Sequence, residues 1–159
     1  MTDQGHPATT ACPGCGLPGP ASHTRPHPYI DASSACWDVY GALLARGPSQ
    51  DAVDAYAVQH PGGEDRRARQ STAVHLISLC GALERGLDEP ARVPLLRRAT
   101  AGAEYPWLSR AEPLGGVRVD DVLARRASAR EWAADLWAAW ADHHAQVRAW
   151  LDDLVDHGD

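Results

Sequence analysis

The sequence predicts an all-α protein: a single bundle of about four to five helices carrying an irregular N-terminal arm. Three observations lead there. Apolar residues recur at helical spacing over several segments, and Pro and Gly punctuate the gaps between them. A stretch rich in Cys, Gly and Pro, without helical period, precedes the first helix. No alternating strand pattern exceeds a few residues.

Residues 1–30 form the arm, and 31–159 the bundle that shares one domain with it. Left free, an arm of this composition stays disordered, so a metal held by its cysteines is expected to pack it on the body. The first helix runs from about Ser33 to Arg46, with Cys36, Trp37, Tyr40 and Leu44 at helical spacing and Gly47-Pro48 as its stop. Ser49 or Asp51 caps a second helix to about His60, where Pro61-Gly62-Gly63 ends it. A third, from about Arg67 to Arg85, is apolar on nearly every side through Ala73–Leu83, which places it in the centre of the bundle. A shorter helix follows around Pro90 to Ala101, with Pro94 expected in its first turn. Residues 102–117 read as a loop anchored by Tyr105 and Trp107, and Asp120 can cap a helical turn through Leu123. The last helix is expected unbroken from about Ser128 to Val155, with Trp132, Leu136, Trp140, Val147 and Leu151 on its apolar stripe.

The composition excludes several classes. At 159 residues, 44% of them hydrophobic, the chain fits one domain with a packed core. It has no Phe and its 15 basic residues are all Arg, a bias that a GC-rich genome explains without invoking phosphate binding. The net charge of −6 and the short, scattered groups Arg66-Arg67 and Arg97-Arg98 argue against nucleic acid. No apolar run is long enough to span a membrane, and the N-terminus lacks the pattern of a signal peptide. The expected setting is the cytoplasm, where four cysteines read as ligands or core residues before disulfides.

Cys12-Pro-Gly-Cys15-Gly16 is the most informative motif. A Cys-x2-Cys knuckle lets two thiolates hold one metal, and its Pro and Gly suit the turn that aims backbone N–H groups at the sulfurs. Cys36, in the first turn of its helix, supplies a third thiolate favoured by the helix dipole. The bland alternative makes Cys36 a buried apolar side chain and the knuckle a mere turn. Zinc is the expected ion, with His75 from the buried helix as fourth ligand. His27 is the alternative, closing the site locally, and His23 is a looser one. Cys80, about 140° around the helix from His75, reads as a core thiol.

The histidines form a second constellation. His60 ends the apolar face of the second helix, His75 lies in the third, and His143 and His144 flank the stripe of the last. His60, His75 and His144 are the candidate catalytic groups, as acid–base residues or as ligands inside the bundle. Asp54 is a candidate to orient one of them, although it falls toward the polar side of its helix. Gln59 and Arg148 are weaker candidates.

Together, Cys12-Pro-Gly-Cys-Gly, His27-Pro-Tyr-Ile, Ala35-Cys-Trp, Asp54–Pro61, Ala73–Cys80 and Trp140–Trp150 resemble a family of small bacterial proteins, mainly actinobacterial, catalogued as a domain of unknown function. The resemblance covers almost the whole chain and implies one site-bearing domain, without an activity. A fainter likeness joins His75 and the His143/His144 pair to DinB/YfiT-type bundles, which hold a metal through three histidines; the Cys-rich arm departs from that pattern.

Three functional readings follow. Zinc on three cysteines with an open fourth position acts as a Lewis acid on a small molecule. A closed site only folds the arm, leaving a binding or adaptor module whose aromatic groove between helices recognises a small-molecule ligand or a partner peptide. A histidine-lined metalloenzyme holds its metal inside the bundle.

Overall fold

The computed structural model describes residues 5, 8–22, 25–47, 49–101, 104–110 and 114–158. The expected helical bundle is present. Helices α1 (Ser34–Ala45), α2 (Gln50–Gln59), α3 (Arg66–Glu84), α4 (Glu89–Thr100), α5 (Val119–Leu123), α6 (Ala129–Ala139) and α7 (His144–Asp156) follow a two-stranded hairpin, β1 (Thr9–Ala11) and β2 (Pro18–Pro20). None of the described helices is long and apolar enough to cross a membrane.

Local chemistry sets most helix starts. The side chains of Ser33, Ser49, Asp65, Asp88 and Ser128 accept backbone N–H bonds in the first turns of α1, α2, α3, α4 and α6. Helix α3, nearly all apolar in its middle, takes the central position and packs against α2, α4, α6 and α7. Its own Leu76 and Ile77 are buried, and so are Tyr56, Leu95, Trp132, Leu136, Trp140 and Leu151 around it. Helix α1 lies to one side, against α5 and β2.

The structure departs locally from the sequence expectations in three places. The arm, expected to be irregular, contains the antiparallel hairpin, with Thr9 opposite Pro20 and Ala11 opposite Pro18. Pro94 sits in the second turn of α4 rather than the first. Its missing N–H would have bonded the carbonyl of Pro90, which lies exposed, so water can satisfy that group. The last helix is broken at Trp140 into α6, a 3-10 turn at Ala141–His143, and α7. The break lets the Trp140 indole donate to the Val58 carbonyl at 3.1 Å. His144 Nε2 lies 2.7 Å from the carbonyl of Trp137, which it caps, and its ring stacks on that indole at 3.8 Å. His143 Nε2 in turn donates to the Ser109 carbonyl, 2.7 Å away. The histidine pair therefore holds a helix junction together.

Candidate metal centre

The hairpin turn carries the knuckle. Cys12 N–H bonds the Leu17 carbonyl and Gly16 N–H the Cys12 carbonyl, each at 2.9 Å, while Gly16 takes φ +79°, where glycine is favoured. Gly14 is pressed so closely on the His60 ring and the Gln59 carbonyl that a Cβ there would overlap both. That approach delivers the knuckle to the C-terminal end of α2. From the other side, Cys36 stands in the first turn of α1, its N–H bonded to Ser33 Oγ at 3.1 Å.

Cys12, Cys15, Cys36 and His60 converge, their ligand atoms all within 4.8 Å of one another, close enough to hold a metal ion. Cys36 and His60 are fully buried and Cys12 nearly so; Cys15 is half-buried. The four cysteines are free thiols. Donors surround the sulfurs: Ser33 N–H lies 3.5 Å from Cys12 Sγ, and the Tyr56 hydroxyl lies 3.4 Å from Cys36 Sγ. Backbone groups of Cys15 and Leu17 reach the sulfurs of Cys12 and Cys15 respectively. His60 Nδ1–H donates to the Tyr56 carbonyl at 2.8 Å, which leaves Nε2 facing Cys36 Sγ.

Proximity splits the acidities of these thiols. Hydrogen bonds from Cys15 and then Cys36 hold Cys12 far below the usual thiol range. The same contact with Cys12 pushes Cys15 up to about 11 and Cys36 higher still. Three adjacent sulfurs cannot all ionise without a cation among them. Burial and the neighbouring Cys36 also raise Tyr56, so its hydroxyl stays a donor.

The fourth donor is His60; neither His75 nor His27 reaches the cluster. His27 accepts from Tyr29 N–H at 3.3 Å and packs its ring edge-on against Tyr29. His75 Nδ1 bonds Asp54 Oδ1 at 2.7 Å, on the α3 side of α2. His23 lies outside the described residues. His60, His75 and His144 thus have three different settings and do not line one pocket: beside the thiols, on Asp54, and under Trp137. Cys80 is buried in α3, its thiol pushed up to about 12 by burial.

Two candidate residues change character. Asp54 is fully buried, not on a solvated face. Gln59 is also buried; its amide donates to the carbonyls of Leu114 and Val117 and accepts from the Trp132 indole, so it ties the loop before α5 to the core. Arg148 makes a two-pronged ion pair with Glu84 at 2.7 and 2.6 Å. One sequence signal does point to His60: it is the histidine at a helix end immediately before Pro-Gly-Gly, where a second backbone can approach.

Fold and site define a small helical bundle bearing a Cys3His cluster of metal-ligating type. The chain belongs to the family of unknown function DUF5946, whose model matches residues 10–141, a span that includes all four cluster residues. No curated protein and no solved structure matches the chain.

Proposed function

We propose that the protein binds zinc and that the ion is structural, joining the hairpin of the arm to α1 and α2. The observation that carries this reading is the spacing of the donors. In a tetrahedral zinc site, bonds of about 2.3 Å to sulfur and about 2.0–2.1 Å to nitrogen place two sulfurs about 3.8 Å apart and a sulfur and nitrogen about 3.6 Å apart. Here Cys15 and Cys36 Sγ are 3.7 Å apart, and Cys36 Sγ is 3.4 Å from His60 Nε2. A disulfide needs about 2.05 Å. Three soft thiolates with one imidazole favour zinc over the oxygen-seeking ions.

A catalytic zinc keeps one coordination position open, whereas this donor set supplies four protein ligands, two of them fully buried. Zinc would balance the charge that the free thiols cannot carry together, and the hydrogen bonds to the sulfurs would stabilise the remaining negative charge. Binding at such a site is folding energy, on the order of 10 kcal/mol or more at neutral pH. A reducing compartment, which preserves thiolates for the metal, fits this chemistry.

Elemental analysis of protein purified without a His tag is expected to find about one zinc per chain. Cobalt substitution should yield the charge-transfer and d–d bands of a tetrahedral thiolate site. Protein that carries no metal, with Cys12 and Cys15 free or disulfide-linked, would overturn the reading.

A further inference from the structure

The second polar centre of the molecule lies on the side of α2 that faces α3, and none of its residues belongs to the thiol cluster. Asp54 is fully buried and its carboxylate is held from several directions. Gln50 Nε2 donates to Oδ1 at 2.8 Å and Ser78 Oγ donates to Oδ2. The guanidinium of buried Arg92, paired with Asp51 at 2.8 Å, stands 4.0 Å away. This carboxylate accepts His75 Nδ1–H at 2.7 Å, which fixes the ring and its tautomer. The other ring nitrogen, Nε2, has no hydrogen-bond partner among the described residues. A histidine kept only for packing would be enclosed; His75 instead remains 21% exposed and lines a cleft of about 390 Å³.

The helix arranges the rest of that cleft. Arg67, Ser71 and His75 are four residues apart along α3, so they lie in line on one face, roughly one turn between neighbours. Tyr29 from the arm and Thr100 at the end of α4 close the sides. The Arg67 guanidinium is exposed and has no ion-pair partner among the described residues. A free cation, a hydroxyl and an oriented proton acceptor therefore face one cleft of ligand size.

We infer that the cleft of Arg67, Ser71 and Asp54-oriented His75 binds a small oxyanion that also carries an acidic O–H, with His75 Nε2 accepting that proton. Arg67 takes the anionic oxygens, for which a planar guanidinium is suited. The O–H of the ligand hydrogen-bonds Nε2. When its proton transfers, the O–H bond breaks, an N–H bond forms at Nε2, and the imidazolium lies between the Asp54 carboxylate and the bound anion. No other bond changes. Asp54 acts through His75 and is a positioning residue.

Inorganic phosphate is the probe, because it presents both anionic oxygens and an O–H. Zinc-loaded protein with labelled histidines is titrated with phosphate at neutral pH and constant ionic strength. The His75 ring signals are expected to shift saturably while those of His143 and His144 stay in place. Arg67→Ala, a change on the exposed surface, is expected to weaken binding about tenfold or more with unchanged helical content and zinc, and Arg67→Lys to restore part of it. Sulfate, which lacks the O–H, should bind more weakly than phosphate. Asp54→Asn should alter the nitrogen shifts that report the His75 tautomer. Shifts that never saturate, or that survive Arg67→Ala unchanged, would overturn the site. Equal affinity for sulfate would overturn the role of His75 as proton acceptor. Zinc content measured on the same samples separates these outcomes from a failure of the metal reading.

Discussion

Helix α2 serves two polar centres whose histidines differ in whether a ring lone pair is left over. On one side, His60 turns Nε2 toward three thiols and gives Nδ1–H to its own helix, so every donor atom is committed. On the other, His75 gives Nδ1–H to Asp54 and keeps Nε2 facing a cleft. The first arrangement suits a closed centre that holds chain segments together. The second suits a group that meets something from outside. Enclosure by protein donors, more than residue type, separates a structural histidine from an available one.

The largest expected effect comes from breaking the closed side. Cys36→Ser removes a buried thiolate and should abolish stoichiometric zinc binding, with a loss of stability of several kcal/mol, since metal affinity and folding are coupled. Metal analysis and thermal melting check this, and the helical circular dichroism of the bundle should largely persist. Gly14→Ala tests the same centre more gently. Its Cβ would press on the His60 ring and the Gln59 carbonyl, and overpacking of this kind costs about 1–3 kcal/mol. Competition with a chromophoric chelator should show zinc held roughly tenfold or more less tightly.

The comparison sharpens with a histidine that belongs to neither centre. His144→Ala removes the cap on the Trp137 carbonyl and the ring stack, a loss of about 1–2 kcal/mol by denaturant titration. Zinc content and phosphate binding should stay as they were. A metal-depleted His144→Ala protein would show that the helix junction, and not enclosure alone, supports the thiol cluster.

The smallest effect is at the surface. Arg148 holds the Glu84 carboxyl below its ordinary 4.5, at about 2. A carboxylate whose folded value is depressed adds stability above its unfolded value, and that contribution fades as pH falls toward the folded value. The arginine side chain is 46% exposed, so solvent screening limits the pair. Arg148→Leu should cost under about 1 kcal/mol at neutral pH, with the difference shrinking between pH ~4.5 and pH ~2. A difference that instead grows toward low pH would show that the pair is not its source.

Much of the bundle was legible because helix signals are local. Ser49 accepts the cap hydrogen bond of α2, and the apolar run of α3 does lie at the centre. The break at Trp140 was not legible, because its support comes from Val58, Ser109 and the Trp137 carbonyl, none of which periodicity reveals. Asp54 misled for a related reason. A carboxylate among helix residues reads as solvated until Gln50, Ser78, His75 and Arg92 are known to surround it.

The sequence by itself determined that the chain is helical and that Cys12, Cys15 and Cys36 are the residues to suspect, because helical period, caps and a Cys-x2-Cys turn are written in near neighbours. Only the tertiary structure decided which histidine completes the cluster. The choice among His27, His60 and His75 depends on where the knuckle lands, and the glycine at position 14 lets it land on the end of α2. A fourth donor is picked by convergence in space. Convergence arises from the packing of segments far apart in the chain, which no spacing along one segment encodes.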